Sequence, residues 1–526
     1  MIQTRALHRS LLTPIVDVGR NAWREVTTEA SGVLVDAADY YHALYRAAEG
    51  ARHSILMSGW QFDSGVPLLR GADAPPGADV RLLKFLDGLC RRNPRLYVCL
   101  LAWDFHVVFA GERQWMQRVY FHWMTSKRFH FRFDDCPAPG GSHHQKFVVI
   151  DGRLAFLGGI DVCEARWDDR RHLAVNPERL SRGKPQKPYH DVQVYLSGGT
   201  APRALEELFF ERWRRSGEKP PPPAPPARGD AEYRPRGAIP FGATPLALSR
   251  TDPRPDGTTV QEVERLLVAA IMAAERLIYI ETQYFSSRRI REALLARMRA
   301  PRRRRLEIVV VVNRRAEALK EEIAVGLRQA ENLVELRAAA AETGHALGCY
   351  HSLCDGSEEE RPATYIHSKL LLVDDRFLTI GSANLTNRSM GVDSELHAAW
   401  EDRGDDARLA RAIRRVRVSL LAEHAGLRGI ALRALVSLDG LVARLNTIAA
   451  QPGSRLCIQP GPTPGQDAVR ALVDPQSLPF DPEAEPVDEP WRRGRPRSHV
   501  RSAISETAGT ALAALDRWLP ARRGAL

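Results

Sequence analysis

The sequence predicts an α/β protein made by duplication: two mixed β-sheet halves flanked by helices, with a reactive site at the pseudo-twofold interface between them. Three observations predict it. The stretch His144 to Gly159, HQKFVVIDGRLAFLGG, returns as His367 to Ser382, HSKLLLVDDRFLTIGS, and both read H-x-K-x4-D-x6-G-[GS]. The copies keep one register, with 223 positions separating His144 from His367, Lys146 from Lys369, Asp151 from Asp374, Gly158 from Gly381 and Asp161 from Asn384. Self-similarity at a fixed spacing marks repeated structural units. The order of helix and strand patterns repeats as well, and a proline-rich stretch lies between the two runs.

Residues 1–30 carry no assigned element. In the first half, expected over residues 31–219, DAADYYHALYRAAEGA has helical periodicity and leads into the strand-like run Ser54 to Phe62. LLKFLDGLCRR then reads as a helix and Arg95 to Asp104 as a buried strand, an order that suggests layered α/β architecture. The linker at 220–230 holds Pro220 to Pro223 and Pro225 to Pro226, a stiff polyproline spacer. The second half, expected over 231–430, replays the order: a helix in VQEVERLLVAAIMAAE, a strand in RLIYIETQYF that places Gln283 opposite Gln61, and a buried strand from Arg304 to Asn313. DDARLARAIRRVRVSLLAEHAGL is a basic amphipathic helix candidate. A C-terminal extension over 431–526 is partly helical, with an extended Pro- and charge-rich stretch from Leu478 to Ser498 and a last helix from His499 to Leu519.

The 526 residues can bury a sizeable core, and 44% hydrophobic with 26% charged residues is an ordinary globular composition. A formal charge of +11 favours anionic partners: phospholipid head groups, nucleic acid or phosphorylated small molecules. Seven cysteines without paired spacing describe no disulfide framework, so a reducing compartment fits. No secretory signal is expected at the N-terminus, and no apolar run reaches the ~18 residues that span a bilayer, so membrane contact would be peripheral. The expected location is cytoplasmic or peripheral to a membrane, with signal-independent secretion left open.

Side chains alternate along a strand, so His144 shares a face with Lys146, and His367 with Lys369, while Asp151 and Asp374 point away and are structural, pinning the turn that follows. Two histidines and two lysines facing one another make a phosphodiester site that needs no metal or cofactor. The ammonium groups, with Gly159, Asp161, Ser382 and Asn384 beside them, would bind the nonbridging oxygens and stabilise the pentacoordinate transition state. One neutral imidazole attacks phosphorus, the other protonates the leaving oxygen, and water or an alcohol resolves the phosphohistidine. Each histidine then needs a carboxylate on Nδ1. Asp191 in PYHDVQVYL and Glu395 in DSELHAAW follow their motifs at equivalent places, which assigns Asp191 to His144 and Glu395 to His367, each within its own half.

With those residues in hand, the chain resembles the phospholipase D superfamily, and the eukaryotic-type enzymes in particular. The resemblance rests on HHQKFVVID, AFLGGIDVCEARWDD, PYHDVQV, FFERW, IYIETQYF, YIHSKLLLVDDRFLTIGSANLTNRSM and AEHAGL, over residues 30 to 430. It implies a duplicated phospholipase D-like fold, hydrolysis of phosphatidylcholine-like lipids to phosphatidic acid, transphosphatidylation, and His144 as nucleophile with His367 as general acid, or the reverse. The first copy has Gly159 and Asp161 where the stricter pattern has Ser and Asn, and regulation through a preceding lipid- or calcium-binding module is not expected.

The expected partners are a phospholipid at a membrane surface and a water or alcohol acceptor, acting on a monomer. Rival readings are a phosphatidyl transferase of the cardiolipin-synthase type, a nuclease or other phosphodiesterase, and an inert membrane-binding protein. Nucleic acid is disfavoured because no stripe of aromatics interleaves the basic residues. His143 should face away from His144, Trp60, Trp103, Trp167 and Tyr284 read as core ahead of pocket, and His345, Cys349, His351 and Cys354 match no usual zinc spacing.

Overall fold

The computed structural model describes residues 13–104, 120–121, 125–135, 140–225, 233–315, 325–355, 361–461 and 481. Its framework is two mixed sheets of the same plan. The first sheet is formed by β2 (Ala30–Val35), β3 (Ser54–Gly59), β4 (Tyr97–Trp103), β5 (Phe129–Asp134), β6 (Phe147–Ile150), β7 (Leu154–Gly158) and β8 (Val192–Ser197) in the order β2-β8-β7-β6-β3-β4-β5. The second repeats that order with β9 (Leu246–Pro253), β10 (Leu277–Glu281), β11 (Glu307–Val311), β12 (Ala346–Ser352), β13 (Leu370–Val373), β14 (Phe377–Gly381) and β15 (Glu395–Glu401), as β9-β15-β14-β13-β10-β11-β12. Only β3-β4-β5 and β10-β11-β12 pair in parallel within these two runs.

Duplication reaches the register. Ile55 pairs with Ile150 and Ile278 with Val373; Phe147 pairs with Leu157 and Leu370 with Ile380, each the same 223 positions on. The motif strands are short, fully buried and rich in β-branched and aliphatic residues, as interior strands require.

Helices cover the outer faces. In the first half α1 (Asp36–Glu49) and α2 (Leu82–Arg92) pack Tyr40, Tyr41, Leu86 and Leu89 on β3 and β4, giving one apolar core. In the second, α4 (Glu262–Ala273), α5 (Arg288–Arg299) and α6 (Leu327–Thr343) do the same. A third core joins both sheets and takes in α3 (Ala201–Arg215) and α8 (Ala407–Ala425). The α8 sequence buries Leu409, Ala412, Ile413, Val416 and Leu420 at helical spacing; Asp406 caps its first turn through Arg408 N and Leu409 N, and Gly426 ends it in the left-handed conformation.

The chain also differs from its sequence reading. Within residues 13–29, Arg24–Val26 (β1) pairs antiparallel with β9, and the Ile15 and Val16 amides donate to Glu401. Ile239–Pro240 returns to the first sheet beside β2. Leu441–Ala449 (α9) and Leu456–Ile458 (β16) add to the second sheet at β12. Such short pieces take their conformation from the strand they meet rather than from their own propensity. The described part of the expected polyproline linker, residues 220–225, runs along the first half, with Tyr97 donating to Pro222 O and Arg203 to Ala224 O and Pro225 O. The Leu478–Ser498 stretch, except for Asp481, and the His499–Leu519 helix lie outside the described residues.

Candidate active site at the seam

The two sheets meet where β7 and β8 pack on β14 and β15. Just before each motif strand, the histidine segment forms parallel hydrogen bonds with the other half. The His144 amide donates to Ser394 O at 3.0 Å and Ser394 N to Ser142 O at 2.9 Å. Symmetrically, Tyr189–His190 pairs in parallel with Tyr365–Ile366, and His367 N donates to His190 O at 2.8 Å.

This exchange decides which carboxylate serves which histidine, and it corrects the pairing expected within each half. His144 Nδ1 lies 3.0 Å from both Glu395 oxygens, and His367 Nδ1 lies 2.5 Å from Asp191 Oδ2. Within one sheet β7 separates β6 from β8, so the carboxylate that precedes β8 is a strand too far from its own histidine. The neighbouring half supplies it instead. Each imidazole thus presents Nε2 as the ring nitrogen not engaged by its carboxylate.

Lys146 and Lys369 lie beside their histidines as alternation requires. Lys146 Nζ donates to His144 O at 3.0 Å and meets Asp161 Oδ2 at 3.3 Å; Lys369 Nζ donates to His367 O and, at 3.1 Å, to Gln283 Oε1. Both ammoniums are buried. With a neutral amide where Lys146 has a carboxylate, Lys369 is pushed down to about 7 by burial, against the pull of Asp191. Burial, then Lys369, Arg166, Lys146 and His144, holds His367 well below the usual histidine range. Burial also pushes Asp191 up to about 7, whereas the adjacent His144 lowers Glu395 despite burial. The two imidazoles therefore have unlike surroundings: His367 rests as the neutral ring, and His144 faces a carboxylate held anionic.

Three of the residues expected to bind phosphate do other work. Asp161 is an anion that pairs with Lys146 and accepts from Trp60 N at 2.9 Å, so it would repel a phosphate. Ser382 donates its hydroxyl to Glu395 Oε2, orienting that carboxylate for His144. Gly159 is a packing glycine: a Cβ there would lie 2.3 Å from Asp191 Oδ1, so a side chain would displace the acid from His367. Asn384 is different. Its Oδ1 is buried and has no hydrogen-bond partner among the described residues.

Asp151 and Asp374 turn away from the site, as read. Their turn-pinning role needs correction, because each carboxylate instead gathers three amides that enter the adjacent strand. Asp151 takes Arg52, His53 and Ser54 N–H at 2.7–2.8 Å, and Asp374 takes Glu275, Arg276 and Leu277 N–H at 2.7–2.8 Å. His143 faces Ser394 Oγ at 2.8 Å and Asp134 at 3.3 Å, away from the reaction face. Trp167 is core, under Arg70, whereas Tyr284 reaches the site rim through the Tyr365 hydroxyl. His345 bonds Leu306 N and Met298 O, and among the described residues it belongs to no metal-competent group.

Sequence reasoning missed Arg166, Gln283, Tyr189 and Tyr365. Arg166 lies over the Tyr189 ring at 5.2 Å and adds a cation facing His367; Tyr189 and Tyr365 lie 5.3 and 6.4 Å from the His367 ring. The register of Gln283 with Gln61 was the one available signal, and it is Gln283 that receives Lys369.

Two imidazoles, each backed by a carboxylate from the opposite half and flanked by lysine, define a duplicated histidine–lysine site at the seam. Residues 267–416 match the family model described as the PLD-like domain of cardiolipin synthase. The chain is 24% identical to phospholipase D alpha 3 of Arabidopsis thaliana, covering 72% of this chain and 61% of that protein. It is 26% identical to phospholipase D alpha 1 of Carica papaya, over 70% of this chain and 61% of the other. The chain thus spans about three fifths of the length of these relatives. A solved structure, phosphatidylserine synthase of Haemophilus influenzae Rd KW20, aligns at 15% identity and a TM-score of 0.49, covering 81% of this chain and 95% of that one. Over these stretches the chain is similar to phospholipases D and to a PLD-like domain.

Proposed function

We propose that the protein is a phospholipase D-type phosphodiesterase. It hydrolyses glycerophospholipids such as phosphatidylcholine to phosphatidic acid and free head group, and transfers the phosphatidyl group to alcohols. The observation that carries this reading is the crossed pair His144–Glu395 and His367–Asp191, with both lysines buried between the halves.

In the first step an imidazole Nε2 forms a bond to phosphorus while the bond to the head-group oxygen breaks, and the second imidazole gives that oxygen its proton. The surroundings favour His367 as the neutral nucleophile and His144, against anionic Glu395, as the acid, which is the reversed assignment the resemblance leaves open. In the second step water or an alcohol loses a proton to His144 and attacks phosphorus, releasing phosphatidic acid or the phosphatidyl alcohol and restoring His367. Lys146, Lys369 and Arg166 neutralise the nonbridging oxygens, and the Asn384 amide orients them.

Among the described residues no helix is long and apolar enough to cross a membrane. The reading has the enzyme working at a lipid surface as a peripheral, monomeric protein. A second reading, a phosphatidyl transferase with a glycerol-type acceptor, is compatible with the description of the matching family model. Phosphatidylcholine vesicles with ethanol test the first: choline and phosphatidylethanol should appear, and His144→Ala and His367→Ala should each lower turnover ~10³-fold or more. Phosphatidylglycerol vesicles and duplex DNA run in parallel. Product from phosphatidylglycerol alone supports the transferase, and cut DNA with no lipid product contradicts both.

A further inference from the structure

A second cluster of buried titratable groups lies at the same seam and takes no part in the steps above. Asp36 at the start of α1, His172 in the loop after Trp167, His190 beside Asp191, and Glu423 on α8 converge with one ligand atom each, all within 4.8 Å of one another. Their side chains are at most 2% exposed. Around the centre, His172 Nε2 is 3.0 Å from Glu423 Oε1 and 3.4 Å from Asp36 Oδ2, while His190 Nδ1 is 2.7 Å from Glu423 Oε1 and 3.2 Å from Asp36 Oδ1.

We propose that Asp36, His172, His190 and Glu423 form a binding site for one divalent transition ion of the zinc class, clamping the first half to α8 of the second. Three further observations carry this beyond a cluster of acids. Asp36 Oδ2 is buried, points at the centre and has no hydrogen-bond partner among the described residues. The outward nitrogen of each histidine is already held by another carboxylate: His172 Nδ1 by Asp168 at 2.9 Å, and His190 Nε2 by Glu281 at 3.0 Å. That is the outer arrangement which fixes the tautomer and ring angle of a metal-ligating histidine. Arg170 and Ser419 complete it, with Arg170 holding the second oxygen of Glu423 and bonding to Ser419.

Two imidazoles and two carboxylates are borderline donors suited to a four-coordinate zinc-class ion, whereas calcium takes oxygen ligands throughout. The overlapping group His190, Glu281 and His424 shares His190, so the seam holds one ion rather than two. The site also takes up residues of these motifs that the proposed reaction leaves unused: Asp168 of RWDD, His190 of PYHDVQV and Glu423 of AEHAGL. It departs from the metal-free expectation for the chain, but it adds no metal to the reaction. Its link to catalysis is positional, since Asp36 N donates to Asp191 O at 2.8 Å and Asp191 N to Asp36 Oδ1 at 3.2 Å.

The test uses the purified full chain, stripped by chelator and titrated with Co²⁺. The expected result is about one equivalent bound, with the visible absorption of four-coordinate Co²⁺, displaced by Zn²⁺ and not by Ca²⁺ or Mg²⁺, and a rise in Tm on Zn²⁺ addition. His144→Ala and His367→Ala should bind as the wild type does. Glu281→Gln, which keeps the hydrogen-bonding size at His190 Nε2 and also faces Tyr279, Ser368 and His424, should weaken binding about 10–100-fold, and Glu423→Gln should abolish it. Substoichiometric Co²⁺ with no change of Tm in the wild type overturns the proposal whether or not the variants fold. So does binding that survives Glu423→Gln in a chain of native Tm, binding lost in the His144 or His367 variants, or displacement by Ca²⁺. None of these readouts uses lipid turnover, so a protein inert on phosphatidylcholine but loaded with one ion would refute the functional reading alone.

Discussion

At the residue scale, the decisive fact is that each motif imidazole is paired across the seam. Substituting one carboxylate should therefore disturb the histidine of the opposite half. Nitrogen NMR of the histidine rings checks this: Glu395→Gln should shift the His144 nitrogens and spare those of His367, and Asp191→Asn should do the reverse. A same-half response would contradict the crossed geometry. Lys369 supplies a second prediction. Its ammonium is needed for phosphate, and burial lowers it to about 7, so the charged form is complete below that value and lost above it. kcat/KM, which reports the free enzyme, should fall as pH rises through about 7, and Lys369→Arg should remove that limb while lowering the plateau. The motif residues could be read from sequence because alternation along a strand is local. Asp161 and Ser382 could not, because their partners, Lys146 and Glu395, are reached only after the strands have been laid side by side.

At the scale of elements, the motif aspartates are the clearest case of structure without reactivity. Each adopts a positive φ, 53° at Asp151 and 56° at Asp374, to bring its carboxylate onto three amides of the neighbouring strand entry. Asp151→Asn or Asp374→Asn keeps the shape and removes the charge, which should cost about 1–3 kcal/mol in urea unfolding. Turnover per folded molecule should stay near that of the wild type; a collapse of kcat in a fully folded variant would mean these acids take part in the reaction. The apolar motif-bearing strands and α8 were legible from their hydrophobic pattern. Three-residue edges such as β1 and β16 were not, since nothing in Arg24–Val26 or Leu456–Ile458 distinguishes them from loop until β9 and β12 offer free edges.

At the scale of the molecule, the duplication predicted from one repeated motif extends to strand order, pairing sense and register, so the fold was legible well beyond the sixteen-residue repeat itself. The docking of the halves was not, because it depends on contacts some 250 positions apart. Asp393 is one: it pairs with Arg388 at 2.6 Å and accepts from Ser142 N and Oγ at 2.8 and 2.9 Å, two residues before His144. Asp393→Ala removes the buried carboxylate that holds the half-buried Arg388 and leaves the Ser142 amide and hydroxyl without their acceptor, which should destabilise the chain by about 1–3 kcal/mol in urea unfolding, with turnover falling as well.

The central claim is covalent catalysis by one half with acid–base assistance from the other. It is tested most directly by quenching the enzyme during turnover of phosphatidylcholine labelled in its phosphate and mapping the bound label. The structure predicts a phosphoryl bond to nitrogen in the peptide that contains His367, absent from His367→Ala. Full turnover with no histidine labelled in either half would contradict the account.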